Sequence, residues 1–107
     1  MLIRYAIFNG RVKDGQESAM RDYVQDALEP LWRQFAQAQD VQVLYGVEQD
    51  ANGPEIPLIL AISYADEAGM AAALASPARY ESRDLLPGFY EQFFVEVKLF
   101  HYVMERT

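Results

Sequence analysis

Polar and apolar residues alternate along this chain in two distinct rhythms. Residues 2–8, LIRYAIF, are mostly β-branched, aliphatic or aromatic and stop at Asn9-Gly10, a turn pair, so they predict a first strand. That run is nearly apolar on both faces, which suits a central position in a sheet. From Asp14 the period lengthens. Asp14 and Glu17 have capping-box spacing, and Met20, Val24, Ala27, Leu28, Leu31 and Phe35 recur at helical intervals, predicting an amphipathic helix over about residues 16–38. Pro30 should kink it, because proline lacks a donor and clashes with the carbonyl four residues earlier. Residues 41–49, VQVLYGVEQ, alternate as a half-buried strand; DANGPEIP turns the chain; and LILAISY, residues 58–64, is a second near-continuous apolar strand that completes a hairpin. Asp66 can cap a short alanine-rich helix to about Ala75, Ser76-Pro77 can start another, and Pro87-Gly88 should stop it. Residues 93–105, FFVEVKLFHYVME, return to strand alternation.

The resulting order, β-α-β-β-α-β, is that of the ferredoxin-like split βαβ arrangement, an α+β fold with an antiparallel sheet. Strands one and three are then central neighbours, and right-handed crossovers place both helices on one face. On strand one Ile3, Tyr5 and Ile7 point one way; with Val95, Val97, Leu99, His101 and Val103 of the last strand they form the cleaner apolar set, expected to meet the helices. The opposite set holds Arg4, Ala6, Phe8, Leu44, Ile59, Ala61, Glu96, Lys98, Phe100 and Tyr102. A bare face this apolar predicts that a second copy covers it, giving a homodimer.

Composition narrows the partners. At 107 residues the chain suits a single domain, 1–107, too small to hold a large cavity cheaply as a lone monomer. Sixteen acids against nine bases give a net charge of -7, which disfavours nucleic acid and anionic membrane surfaces as partners. There is no cysteine, so no disulfide, thiolate nucleophile or cysteine metal site is expected. MLIRYAIFNGR is too short an apolar span for a signal peptide, and no run approaches a membrane helix. A cytoplasmic protein is the expectation. One histidine and scattered acids argue against a metal, and no glycine-rich phosphate loop or nucleophile elbow is present, so nucleotide-dependent chemistry and acyl hydrolysis are not expected.

Two segments carry a resemblance. RDYVQDALEPLWRQF, residues 21–35, is similar to the first helix, and ASPARYESRDLLPGF, residues 75–89, to the segment after the short second helix, of the dimeric α/β-barrel superfamily. The chain resembles most the EthD-like and antibiotic-biosynthesis monooxygenase-like branches, over its whole length. EthD-like proteins commonly carry a histidine two residues before the helix proline; here that position is Leu28. The resemblance implies subunits paired sheet to sheet and a small-molecule pocket between sheet and helices. It also implies cofactor-independent oxygenation, isomerisation, cyclisation or dechlorination of apolar and aromatic metabolites, in several relatives as part of secondary metabolism.

The residues that could carry such chemistry are few. His101 is the only side chain whose ordinary pKa lies near neutrality, and on the expected helix-facing side of the last strand, near Tyr5, it could serve as general base. Arg79 and Arg83 share a helix face, and Tyr80, Arg83 and Asp84 could form one polar edge of the second crossover, with Asp84 orienting His101 or a tyrosine, or accepting a substrate proton, and one of the arginines holding a carboxylate or enolate. Tyr23, Trp32, Tyr45, Tyr64 and Phe89 could line a pocket for a flat apolar ligand, with a Tyr45 or Tyr64 hydroxyl donating to an oxyanion; aromatics at these spacings equally suit a core. On an ideal helical wheel Trp32 flanks the apolar stripe, so rim or dimer contact is open to it. Three functions follow: an enzyme with His101 as base, a non-catalytic carrier using the same pocket, or a structural dimer whose pocket is closed by Trp32, Tyr45 and Phe89.

Overall fold

A computed structural model describes residues 1–107. β1 (Leu2–Val12) is followed by α1 (Glu17–Tyr23), a wide π-helical turn (Val24–Leu28) and α2 (Glu29–Trp32), which together form one interrupted helix. Then come β2 (Asp40–Tyr45), β3 (Leu58–Tyr64), α3 (Glu67–Leu74), α4 (Pro77–Phe93) and β4 (Phe94–Glu105). The four strands lie in the order β2-β3-β1-β4, every pair antiparallel. This is the expected ferredoxin-like sheet with β1 and β3 at its centre, and β3 has the expected bounds.

The first helix shows how residue spacing shapes backbone. Met20, Val24, Leu28 and Trp32 are spaced by four, and each such step drifts about 40° around an ordinary α-helix. Over three steps an uninterrupted helix would swing Trp32 about 120° from Met20. The turn over Val24–Leu28 is wider, closed by the Glu29 N–H donating to the Val24 carbonyl, and it takes back part of that drift. All four side chains are consequently buried, Trp32 at 3% exposure, so Trp32 is a core residue and not a rim residue. The wide turn also lies just before Pro30, where the regular ladder must lose a donor. The helix ends at Trp32, earlier than its polar-apolar pattern implies, and Gln37 adopts a left-handed φ of 62° in the turn that follows.

α4 departs from expectation in the other direction. Ser76-Pro77 begins it, but Pro87-Gly88 does not end it, and the helix continues to Phe93. An internal proline costs about 3 kcal/mol. Continuing the helix buries Phe89 and Phe93, at 0% and 3% exposure, worth about 1.5–3 kcal/mol each, which matches or exceeds that cost. α3 is capped as its sequence predicts: the Asp66 carboxylate accepts from the Gly69 N–H at 2.9 Å.

Register decides which residues meet the helices. Ala6 pairs with Leu60 and His101, and Phe8 with Leu58 and Leu99. Ala6, Phe8, Leu58, Leu60, Ile62 and Tyr64 all join the buried cluster under the helices. The even-numbered side of β1 therefore faces inward, together with Arg4, and the expected assignment of Ile3, Tyr5 and Ile7 to that side is reversed. Tyr5 lies opposite Ala61 and Tyr102 on the open face. The one charge in LIRYAIF, Arg4, argues for the other face, and the apolar positions offer no contrast between faces; what chooses is Phe8, whose ring enters the aromatic cluster of Trp32, Phe89 and Tyr90. β2, β3, and β4 from Val97 to His101, face as expected, but at the start of β4, next to the register shift, Phe94 is buried and Val95 is exposed, the reverse of the expected assignment. β1 also runs past Asn9-Gly10 to Val12, with a register shift at Arg11/Val12, while β2 stops at Tyr45 instead of reaching residue 49.

Candidate functional site

Between α4, the end of the first helix and the inner side of β1 and β4 lies a cavity of about 110 Å³. Its apolar wall includes Phe8, Trp32, Phe35 and Leu86, and its polar members are Arg4, Arg79, Ser82, Arg83 and His101. Helical spacing puts Arg79, Ser82, Arg83 and Leu86 on one side of α4. Strand alternation puts Arg4 and Ala6 on the inner side of β1, with His101 beside Ala6 on β4.

The electrostatics of this cavity are one-sided. No carboxylate lines it. The molecule's two ion pairs, Arg11–Glu55 and Arg33–Glu29, lie elsewhere, so Arg4, Arg79 and Arg83 have no acidic partner. Arg79 donates to the Leu74 carbonyl at 3.4 Å, and Arg79 and Arg83 both lie over the Tyr80 ring, at 5.5 and 5.3 Å from its centroid. Burial pushes the Arg4 guanidinium pKa down, and Arg79 lowers it further. His101 is open to solvent on one side, while on its inner side desolvation, then Arg4, then Arg79 hold its pKa down at about 4. The imidazole is thus neutral at physiological pH and free to accept a proton or hydrogen bond. Tyr64, whose hydroxyl pKa is raised by burial and partly offset by Arg4, is the adjacent buried phenol.

Of the residues singled out from sequence, Trp32, Arg79, Arg83 and His101 meet in this cavity. Tyr5 is on the opposite face of the sheet. Asp84 is exposed and outside the cavity, so it is not placed to orient His101. Phe89 is fully buried in the aromatic core, stacked on Tyr23 with centroids 5.5 Å apart, and neither ring lines the cavity. Tyr64 is also core, at 1% exposure. Tyr45, at the end of β2, lies outside the cavity, its hydroxyl donating to the Arg21 carbonyl at 3.4 Å and its ring under the Arg21 guanidinium. Sequence reasoning missed Arg4, although it is the only charge in LIRYAIF, and a charge on an otherwise apolar central strand must be either outward or functional.

A larger cleft of about 440 Å³ sits at the opposite end of the sheet, lined by residues including Arg11, Asp14, Glu17, Arg21, Glu48 and Glu55. Its charges are mixed and partly self-neutralised, since Arg11 pairs with Glu55 at 3.2 Å. Size favours that cleft, but convergent chemistry favours the smaller cavity, where an apolar wall meets unpaired cations and a neutral imidazole.

No family model and no curated protein matches the sequence. Solved structures do match in fold. An ethyl tert-butyl ether D (EthD) family protein from Bacillus halodurans superposes with a TM-score of 0.72 over 100% of each chain at 15% identity. A dimeric ferredoxin-like protein of unknown function from Thermobifida fusca gives 0.61 at 13% identity, over 96% of this chain and 92% of that one. A protein of Nitrosomonas europaea described provisionally as an antibiotic biosynthesis monooxygenase gives 0.58 at 16%, over 99% and 98%. The chain shares the ferredoxin-like fold of these proteins, and EthD-family and monooxygenase-like structures are among its structural neighbours.

Proposed function

We propose that this protein is a small-molecule enzyme acting on an apolar or aromatic metabolite bound in the His101 cavity. The observation that carries this reading is the juxtaposition of a neutral imidazole, an apolar wall and guanidiniums without acidic partners. In the proposed reaction a ring nitrogen of His101 takes a proton from a carbon next to a substrate carbonyl, and the C–H electron pair moves onto the oxygen as an enolate. Arg4 and Arg79 disfavour the imidazolium when the cavity is empty, yet stabilise the enolate that forms with it, so the two charges become favourable together. Return of the proton to another atom gives isomerisation, attack on a second carbonyl gives cyclisation, and reaction with dioxygen as oxidant gives cofactor-independent oxygenation. Secondary metabolism is the setting this chemistry suits, and the cytoplasm the compartment.

Catalysis in this reading takes place in a homodimer. The open face carries Ile3, Tyr5, Ile7, Phe100, Tyr102 and Met104, with Phe100 42% and Tyr102 53% exposed, a surface that a second sheet would cover. The lack of a carboxylate beside His101 favours a second reading, a carrier that binds the metabolite without turning it over. The experiment is His101→Ala: loss of turnover on a cognate polyketide-like or aromatic substrate supports the enzyme, and an unchanged rate removes His101 from the mechanism.

A further inference from the structure

Nine lysines and arginines serve this acidic chain, and three of the arginines converge with its single histidine on one cavity. The local field there is opposite in sign to that of the whole molecule. Like charges gathered without counterions are unfavourable, and Arg4 is partly buried, where an unpaired guanidinium is least tolerated. None of the three contributes a salt bridge to the fold. Arg79 and Arg83 gain a carbonyl contact and stacking on Tyr80, but neither neutralises the shared charge, and half-buried Arg4 gains no such contact; an anion that arrives with the ligand supplies what is missing. The three differ in depth, with Arg4 and Arg79 half-buried and Arg83 exposed at the edge. The cavity, at about 110 Å³, is smaller than an apolar cavity of about 150 Å³ that accepts benzene, so it takes an acidic head group and part of one ring, with the rest of a ligand lying at the open edge beside Arg83 and His101.

We propose that the ligand of this cavity is a carboxylic acid, an aromatic or polyketide-like molecule whose carboxylate sits between Arg4 and Arg79 with its apolar body against Trp32, Phe35 and Leu86. This deepens the proposed function and rests on the same cavity being the binding site; each guanidinium has five N–H donors, so the carboxylate and the enolate oxygen that forms beside it share Arg4 and Arg79. Guanidiniums present paired N–H donors that match the two oxygens of a carboxylate, which a neutral amide of the same shape cannot accept equally well. Arg83, at the mouth, steers the acid inward and adds less affinity. The bound anion also relieves the repulsion among the arginines, so ligand binding raises the stability of the fold.

The test uses benzoate and benzamide as probes of equal shape, followed by calorimetric titration and by NMR of the His101 ring protons. Benzoate should bind at least tenfold more tightly than benzamide, raise the melting temperature, and shift the His101 titration midpoint upward. Arg4→Met and Arg79→Met should each weaken benzoate at least tenfold, without a matching loss of melting temperature, while benzamide binding stays nearly constant. Arg33→Met, at a guanidinium paired with Glu29 outside the cavity, should leave benzoate binding within a few-fold, so loss of any one positive charge is told apart from loss of anion recognition. Equal affinity for the two probes, or benzoate binding unaffected by both arginine variants, refutes the acid while leaving the cavity as the binding site. If wild-type protein binds neither probe, both readings fall.

Discussion

Replacing Phe89 by alanine asks whether this ring is core or pocket wall. It is fully buried, with Phe94 at 5.2 Å, Tyr23 at 5.5 Å, Phe93 at 5.8 Å and Phe8 at 6.3 Å between ring centroids. Alanine would leave a void ringed by aromatics that are themselves fixed to a helix or strand, so little collapse can fill it. Removing a buried phenylalanine costs about 3–5 kcal/mol, out of the 5–15 kcal/mol that about spans typical domain stability. At roughly 4 °C per kcal/mol for a domain near this size, the melting temperature should fall roughly 12–20 °C. Phe89→Leu, which keeps most of the volume, should lose about 1.5 kcal/mol or less. Thermal and denaturant unfolding at a fixed protomer concentration measures both, the concentration being held because a dimer's stability depends on it. A loss under about 1 kcal/mol for the alanine variant, accompanied by altered benzoate affinity, would show that Phe89 lines the binding cavity and that the core assignment is wrong.

Two further outcomes follow from the open face and from His101. Tyr102→Asp places a charge in the middle of the exposed apolar face, and should convert a species of twice 12.2 kDa into one of 12.2 kDa by sedimentation; wild-type protein already at the smaller mass in dilute solution refutes the pairing. Because the folded pKa of His101 lies at about 4, below the ordinary 6.5, the unfolded chain takes up its proton first as pH falls. The stabilisation is therefore complete above about 6.5 and is lost as pH drops toward 4, against the guanidiniums of Arg4 and Arg79 that face the ring. His101→Ala should flatten this part of the stability profile relative to wild type, and identical slopes from pH 6.5 to 4 would contradict the placement.

Much of the fold was legible as local chemistry. The bounds of β3, the Asp66 cap and the start of α4 at Ser76-Pro77 each follow from alternation, capping or proline geometry within a few residues, and the strand order follows from the succession of elements along the chain. The facing of β4 from Val97 to His101 was legible for the same reason: Val97, Leu99 and His101 contrast with Glu96 and Lys98, whereas in β1 the one charge, Arg4, argues for the other side and only Phe8's seat among the aromatics selects its inner side. Pro87 was misread, and Trp32 was left open between pocket and rim, because local rules ignore what packing can outweigh or rebuild. Burial of Phe89 and Phe93 carries α4 through a proline, and a widened turn returns Trp32 to the buried stripe. The candidate site divides in the same way. His101, Arg83 and Trp32 stood out as residue types, but Arg4 comes from a strand some seventy-five residues before Arg79, and only antiparallel register brings them to one cavity. Residue chemistry is set locally, whereas convergence of charge depends on long-range pairing: sequence alone identified the side chains able to act, and the tertiary structure decided which of them meet.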